Sequence, residues 1–549
     1  MRVVIVGGVA GGMSAAARLR RLDNEAEIIV LEKSAHVSYA NCGLPYYVGG
    51  VIEEEGSLLL ETPESLRARF RLDVRVNSEA VDLDPSTQRV TVRDLVGDTV
   101  YELSYDRLIL SPGASPVIPP IPGIERALPL RTVEDVERLL SAVMASPAHA
   151  VVIGGGFIGV EIAENLIERG IATSIVEATA QVLAPLDPEM AAPVAEELRR
   201  QGVLLCLGDS VESITSNEVR LASGEVMAAD LVIVAIGVRP ETGLARAAGL
   251  VIGERLGIVV DEFNRTSVSN IYAIGDAAEK KDALDGLGTL VPLANIANRQ
   301  GRVVADHIAG RMVRPRPAIG TAIVKVFNLT IATTGWNEKR LTQQGRAFTA
   351  IHTHPASHAN YYPGAKVMAL KLLVDPSSGA ILGAQGVGTE GVDKRIDVLA
   401  TAIRAGLTAP ELAGLELAYA PPFGSAKDPV NMLGYVAENV LSGLVPTAQW
   451  SEVDVYRARG AQFVDVRTAE EFARGSIYGA LNIPLDVLRE RFAELDDVET
   501  LVNCEVGQRG HAATMLLREL GFRAVNLDGG YRTWHSSPAA VAPELVGRS

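Results

Sequence analysis

The chain has 549 residues, 48% apolar and 21% charged, a length that exceeds one hydrophobic core and predicts three or four domains. Its net charge of -16 argues against a duplex-binding surface, which needs clustered cations, while leaving room for local basic spots that hold a small anion, and no apolar run is long enough to span a bilayer. Three scattered cysteines, Cys42, Cys206 and Cys504, argue against a disulfide framework; with no visible signal peptide, a cytoplasmic protein is expected, without membrane or nucleic-acid partners.

Residues 2–6 read as a short apolar strand. Gly7-Gly8-Val9-Ala10-Gly11-Gly12 follows, then a helical pattern over 13–22 and a strand over 28–31 ending in Glu32. This is the layout of a dinucleotide site: a Gly-rich turn, a helix N-terminus for the pyrophosphate and an acid for a ribose hydroxyl. The strict G-x-G-x-x-G pattern fails at Val9, where glycine normally permits close backbone approach. Cys42 comes next, in Ser38-Tyr39-Ala40-Asn41-Cys42-Gly43-Leu44-Pro45, at a break in regular structure. A free cysteine is most often a small buried apolar residue, but a lone thiol beside a dinucleotide site points to redox chemistry.

Residues 108–114 form a buried strand and a Gly turn that includes Ser111 and Gly113. The dinucleotide layout then recurs: a strand over 150–153, Gly154-Gly155-Gly156-Phe157-Ile158-Gly159 with the full pattern, a helix over 160–168 and a strand ending in Glu177. A carboxylate there accepts from a ribose 2′-hydroxyl and repels a 2′-phosphate, so NADH is expected over NADPH. Cys206 lies in an apolar run and reads as buried and structural. Residues 231–237 repeat the strand and Gly turn, at Gly237, and 270–278 form a strand ending in Gly275-Asp276. An Asp at such a strand end can hold a polyol hydroxyl of a flavin.

The texture changes between 321 and 439, where short strands (322–326, 368–374, 381–387) precede helices over 396–404 and 430–441. This segment carries Tyr361-Tyr362, Tyr419 and Lys427. Residues 443–449 read as a linker, and a small independent domain then runs to about 540, with a tail from Ser536 expected to fray. In that domain Cys504 ends a strand and opens a loop into a helix over 512–520. Backbone N–H groups and the helix dipole there stabilise a thiolate or persulfide, and Arg509 adds a positive charge. Asp465 and Arg467 are expected to form a buried ion pair.

In this order the elements over roughly 1–440 resemble the pyridine-nucleotide–disulfide oxidoreductases, in which an FAD domain is interrupted by an NAD domain and followed by a dimer interface domain. The resemblance implies an α/β fold with two Rossmann-like domains: FAD-binding over 1–115 and 246–320, NAD-binding over 116–245, an α+β dimerisation domain over 321–442, a linker over 443–452 and a rhodanese domain over 453–540. It implies FAD contacts at Gly7, Gly8, Ala10, Gly11, Gly12, Glu32, Lys33, Ser111, Gly113, Asp276 and Ala294. It implies NAD contacts at Gly154, Gly156, Phe157, Ile158, Gly159, Glu177 and Gly237. The last domain looks like a rhodanese: four residues separate Cys504 from Arg509, against five in cysteine phosphatases, which suits a loop carrying one sulfane sulfur.

Most of that superfamily carries C-x4-C, whereas this chain has Cys42 alone. The single-cysteine branch holds NADH peroxidases and oxidases, which cycle a sulfenate, and coenzyme A-disulfide reductases, which cycle a mixed disulfide with CoA. Ala10 stands where the peroxidases have a histidine. Ser-Tyr-Ala-Asn-Cys-Gly resembles the reductase motif S-F-x-x-C-[GN], with Tyr39 for Phe. The resemblance implies a homodimer in which Tyr361 or Tyr362, and Tyr419, act with Cys42, and CoA contacts at Ser14, Arg18, Arg21, Ser38, Asn41, Asn298 and Lys427. Arg20 and Lys33, and on the blander reading Arg18, are alternatively ordinary solvated charges. The expected activity is NADH-dependent reduction of CoA persulfide or polysulfide at Cys42, with Cys504 carrying sulfane sulfur. CoA-disulfide reduction and a sulfenate-cycling oxidase or peroxidase are the alternatives.

Overall fold

The computed structural model describes residues 1–314 and 316–541 and divides into two compact units, each taken by itself below. The first comprises Met1–Ala180 and Gln201–Ile319, the second Gln181–Arg200 and Gly320–Ser549.

The first unit holds two five-stranded parallel sheets. One runs in the order Ile271–Ala273, Arg107–Leu110, Arg2–Val6, Glu27–Leu31, Asp73–Arg75. Asp73–Arg75, at the sheet edge, is largely charged, while the other four strands are mostly apolar, as burial on both faces requires. Its register pairs Val6 with Leu31 and Leu110, and Leu110 with Ala273. The residues that follow, Gly7, Glu32, Ser111 and Gly275-Asp276, therefore emerge at one carboxyl edge, where open parallel sheets place their ligands. The strand Ile271–Ala273 returns to this sheet after the second one is complete. That second sheet runs Leu204–Leu207, Ala172–Glu177, His149–Ile153, Leu231–Val234, Leu128–Pro129 and aligns Ile153 with Val176 and Val234.

The first helix spans Ala10–Leu22 and so begins three residues earlier than its apolar pattern suggests. Gly12 lets it start against the turn: a Cβ there would lie 1.9 Å from the Gly7 carbonyl oxygen. The helix Phe157–Glu168 likewise starts directly after Gly156. Arg20 is not a solvated charge. Its guanidinium donates to the carbonyls of Phe70, Asp23, Asn24 and Arg71, tying the helix to the loop beneath it. Cys206 is only half-buried, packed at the margin of the second sheet's core, because its strand lies at the sheet edge.

The second unit contains a five-stranded antiparallel sheet, Ala322–Val326, Leu329–Gly335, Ile381–Gly388, Met368–Val374, Thr349–Thr353, packed under the helices Val392–Ala405 and Pro429–Leu441. It also contains a parallel sheet in the order Thr447–Ala448, Ala524–Leu527, Thr500–Asn503, Gln462–Asp465, Ala480–Asn482. Thr447–Ala448 falls within the segment read as a linker, yet it is the edge strand of this sheet, paired with Asn526 and Leu527. The tail read as frayed continues with a helical turn over Pro538–Val541, and its remainder lies outside the described residues. No helix among the described residues is long and apolar enough to cross a membrane.

Candidate functional site

The first sheet's carboxyl edge opens into a cleft of about 390 Å³. Nine of the eleven expected FAD residues line it: Gly7, Ala10, Gly11, Glu32, Lys33, Ser111, Gly113, Asp276 and Ala294. Gly8 and Gly12 serve instead in the packing of turn and helix, a Cβ on Gly8 falling 3.1 Å from Val37. Gly7 has φ +98°, and a Cβ on it would lie 2.0 Å from the Ser111 carbonyl oxygen, so only glycine fits. Val9 sits at φ −105°, open to any L-residue, which is why the turn forms without its third-position glycine. Glu32 is buried and accepts from the Gly8 N–H at 2.7 Å and the Ser34 N–H at 2.9 Å. Burial raises its carboxyl pKa, and those two hydrogen bonds oppose the rise. The helix Ala10–Leu22 has no side-chain N-cap, so its first-turn N–H groups face the cleft mouth available to an anion. This donor set fits a flavin dinucleotide.

Cys42 lines the same cleft, in a helical turn Asn41–Gly43 that leads into the helix Leu44–Gly49. The turn is pinned by Ala40 N–H donating to Leu58 O at 2.8 Å and by Asn41 Nδ2 donating to Arg131 O at 3.1 Å. The residue is exposed, yet its sulfur is set down among protein atoms. Desolvation raises the thiol pKa, Glu161 and Asp276 add to the rise, and Arg131 opposes it. Burial and these two carboxylates thus oppose formation of the Cys42 thiolate, and Arg131 favours it.

Three further residues shape this site. Arg131 is paired with Asp276 and donates to Ala114 O at 3.1 Å, bracing the Asp expected to meet a flavin polyol. Lys280 is buried and donates to Gly275 O at 3.0 Å and Val291 O at 3.3 Å; burial lowers its pKa to about 8. Glu161 accepts from the Tyr46 hydroxyl at 3.2 Å and is pushed up to about 7 by desolvation. Its position four residues after Phe157, on the helix that opens the second dinucleotide turn, was the available clue.

In that second turn Gly154 has φ +109°, and a Cβ on Gly159 would lie 2.0 Å from Gly154 O. A Cβ on Gly156 would meet nothing within 4 Å, so the turn is open above the uncapped N-terminus formed by Phe157 and Ile158. Gly237, φ +117°, is equally open. Glu177 accepts from the Gly155 N–H at 2.8 Å and from Thr179 N–H and Oγ1 at 2.8 Å, the arrangement that Glu32 makes with Gly8 and Ser34. These residues fit a nicotinamide dinucleotide.

The expected CoA residues are brought together only in part. Ser14 Oγ donates to Asn298 Oδ1 at 2.9 Å, whereas Arg18 is engaged by Asp306 at 2.6 Å. Arg21 and Lys33 are exposed, and Ser38 holds a left-handed φ of +50° beside Cys42's turn.

In the second unit Tyr361 and Tyr419 are exposed and their hydroxyls lie 2.9 Å apart, a contact that raises the Tyr361 pKa. Tyr362 turns away and packs edge-on against His358 at 5.7 Å. Lys427 is exposed. Cys504 follows the strand Thr500–Asn503, is fully buried, and its loop enters the helix Gln508–Glu519 through Gly507 at φ +88°. Arg467 and Asp465 form the expected buried pair at 2.7 Å, with Tyr531 stacked 4.0 Å from the guanidinium. Arg509, the positive charge beside the loop, is held by Glu471 through two 2.7 Å hydrogen bonds. That pair holds the Glu471 carboxyl at about 2. Cys504 also helps keep the guanidinium charged.

Two dinucleotide turns, a cleft thiol and a second thiol in an anion loop define a redox enzyme class. Comparison with known proteins agrees: residues 1–301 match the pyridine nucleotide-disulphide oxidoreductase model, 321–429 its dimerisation domain and 451–537 the rhodanese-like domain. The chain belongs to the pyridine nucleotide-disulphide oxidoreductase family and carries a rhodanese-like domain. It is therefore an oxidoreductase of a family that implies FAD and a nicotinamide dinucleotide, and its dimerisation domain points to a homodimer. It is 37% identical over 441 residues to the coenzyme A disulfide reductase of Staphylococcus aureus (strain JH9), covering 80% of this chain and all of that one. Reduced CoADR-RHD from Bacillus anthracis is 48% identical with a TM-score of 0.96, over 97% of this chain and 98% of that one. An NAD-dependent persulfide reductase from A. fulgidus is 38% identical with a TM-score of 0.92, over 97% and 100%.

Proposed function

We propose that the protein is an NADH-dependent flavoprotein reductase of CoA persulfide or polysulfide, with CoA disulfide as the alternative substrate, and that Cys504 carries sulfane sulfur. The observation that carries this reading is Cys42: one exposed thiol in a dinucleotide cleft, with no second cysteine in its stretch to close an internal disulfide. The chain's own rhodanese-like thiol and the names of its relatives support the sulfur substrate.

Flavin and nicotinamide bound at the two turns supply the electron pair. Glu32 and Glu177 orient ribose hydroxyls, and the uncapped helix starts at Ala10 and Phe157 take the pyrophosphates. Arg131 and Lys280 hold the Asp276 turn in place. The Cys42 thiolate attacks the inner sulfur of CoA persulfide, releases hydrosulfide and forms Cys42–S–S–CoA. Two electrons and a proton then return Cys42 as thiolate and CoA as thiol. With CoA disulfide the first leaving group is a CoA thiolate instead. A hydroxyl of Tyr361 or Tyr419 supplies the proton to the leaving thiolate.

The deciding measurement is steady-state NADH oxidation across CoA persulfide, polysulfide, CoA disulfide, peroxide and oxygen. Turnover on sulfur substrates is expected; turnover on peroxide or oxygen alone would overturn the proposal in favour of a sulfenate cycle. Cys504→Ser is expected to abolish thiosulfate-driven NADH oxidation while leaving CoA-disulfide turnover intact; unchanged thiosulfate turnover refutes the carrier role. Glu177→Arg removes an acceptor for the 2′-hydroxyl and adds a partner for a 2′-phosphate. The ratio of kcat/KM for NADH over NADPH should fall about tenfold or more. An unchanged ratio refutes the ribose assignment.

A further inference from the structure

Cys504 is held from behind by a short glycine turn, and that turn rests on the antiparallel sheet. Gly529 and Gly530 both have φ +65°. A Cβ on Gly530 would lie 2.5 Å from Cys504 O and 2.7 Å from Gly507 N, so this glycine is pressed against the sulfur-bearing loop. A Cβ on Gly529 would lie 2.8 Å from the His352 Cβ, so the glycine before it is pressed against the sheet. The helix Gly530–His535 then fastens the loop: Tyr531 N–H donates to Cys504 O at 2.7 Å and Arg532 N–H to Glu505 O at 3.0 Å.

Asp528, immediately before the turn, is clamped by His352. The His352 backbone N–H donates to Asp528 Oδ2 at 3.0 Å, and its Nδ1 lies 2.6 Å from the same oxygen. On the other side Nε2 meets Glu189 Oε1 at 3.0 Å. All three side chains are at most 5% exposed. An imidazole between two carboxylates must donate from both nitrogens, which makes it imidazolium. Burial lowers the His352 pKa, but Asp528 and Glu189 outweigh it and hold it up at about 9. Behind Glu189 stands Lys371, paired with Asp187 and Glu338; His354 donates to or accepts from Thr533 Oγ1 at 2.7 Å as a second tether.

We propose that His352 is a positioning residue for Cys504, acting through Asp528 and the Gly529-Gly530 turn, so that the sulfur-bearing loop is set by the antiparallel sheet rather than by the rhodanese-like module alone. The inference rests on the reading that Cys504 carries sulfane sulfur. The step it governs is attack of the Cys504 thiolate on the outer sulfur of thiosulfate, which forms Cys504–S–S⁻ and releases sulfite.

The test uses the full-length holoenzyme with His352→Gln, Asp528→Asn and the double variant. Three quantities are read: the rate of Cys504 persulfide formation from thiosulfate, the pH profile of Cys504 alkylation by iodoacetamide, and NADH reduction of the bound flavin. Each single variant should slow persulfide formation about tenfold or more, because small displacements at a reacting centre cost that much, and should move the alkylation profile. Flavin reduction should stay unchanged. The double variant should be no worse than the worse single, since both break one link. Unchanged loading and alkylation in the singles, or losses that multiply in the double, overturn the proposal. Should His352→Gln give no folded holoenzyme, the nearly isosteric Asp528→Asn carries the test. Were the unaltered protein to take no sulfur on Cys504, the carrier reading would fail, while the alkylation profiles would still decide the role of His352.

Discussion

Cys42→Ser is expected to abolish NADH-dependent reduction of every sulfur substrate while leaving flavin reduction by NADH intact. The serine hydroxyl is isosteric enough to keep the Asn41–Gly43 turn, whose anchors are backbone bonds and the Asn41 amide. It cannot form a mixed disulfide, so loss should reach the limit of detection rather than a fraction. Stopped-flow absorbance separates the two half-reactions. Retained sulfide release would refute the role of Cys42. The same cleft makes a pH prediction. Desolvation and the Glu161 charge hold the thiol up, so the unloaded enzyme should react with alkylating agents slowly at neutral pH and faster above the ordinary thiol range. Glu161→Gln removes one of those charges and should shift the alkylation profile to lower pH; a profile that stays in place contradicts the electrostatic reading.

Lys371→Met should be the most destabilising single change in the second unit. Lys371 is fully buried, 2.9 Å from Asp187 and 2.7 Å from Glu338, and also bonded to Glu189. Removing it leaves buried carboxylates without their cation, a change that costs about 3–5 kcal/mol and lowers the melting temperature of a unit this size by roughly 6–20 °C. A melting point within a degree or two of the unaltered protein refutes the network's importance. The pH dependence follows from the partners. Burial raises Glu189, but His352 and Lys371 outweigh it and hold the carboxyl far below 4.5. Its contribution is complete above that unfolded value and lost as pH falls toward the folded one. His352 contributes fully below 6.5 and its share is lost as pH rises through about 9. Melting curves should therefore soften on both the acid and the alkaline side, and His352→Gln should remove the loss between 6.5 and about 9 and weaken the acid-side contribution of Glu189 as well.

Much of the fold was readable because its signals are local. The strands 322–326 and 368–374 are legible to the residue, since apolar runs interrupted only by Lys325 and Lys371 leave little freedom. The helix starts at Ala10 and Phe157 come earlier than the apolar pattern suggests, because glycines on which a Cβ would fall 1.9 and 2.0 Å from a carbonyl oxygen look like loop in a propensity reading. The partners of Arg20 and Arg509 are not legible in the sequence, for a shared reason. A cation's partner, here carbonyls 50 and 51 residues away and Glu471 38 residues away, has no signature in the cation's own neighbourhood.

The sequence by itself determined the two dinucleotide turns, their terminal acids Glu32 and Glu177, the cleft thiol and the anion-loop thiol. Each of these is a short-range pattern of turn, helix start and strand end, and backbone sterics dictate what such a pattern can form. Only the tertiary structure decided what surrounds them. Asp276 is braced by Arg131 from 145 residues away, and Glu161 meets Tyr46 across 115. Asp528 is clamped by His352 across 176, and Lys371 reaches Glu189 across 182. The physical reason is that a buried charge is stable only beside its counter-charge, and sheet order and register, not sequence distance, choose which one that is.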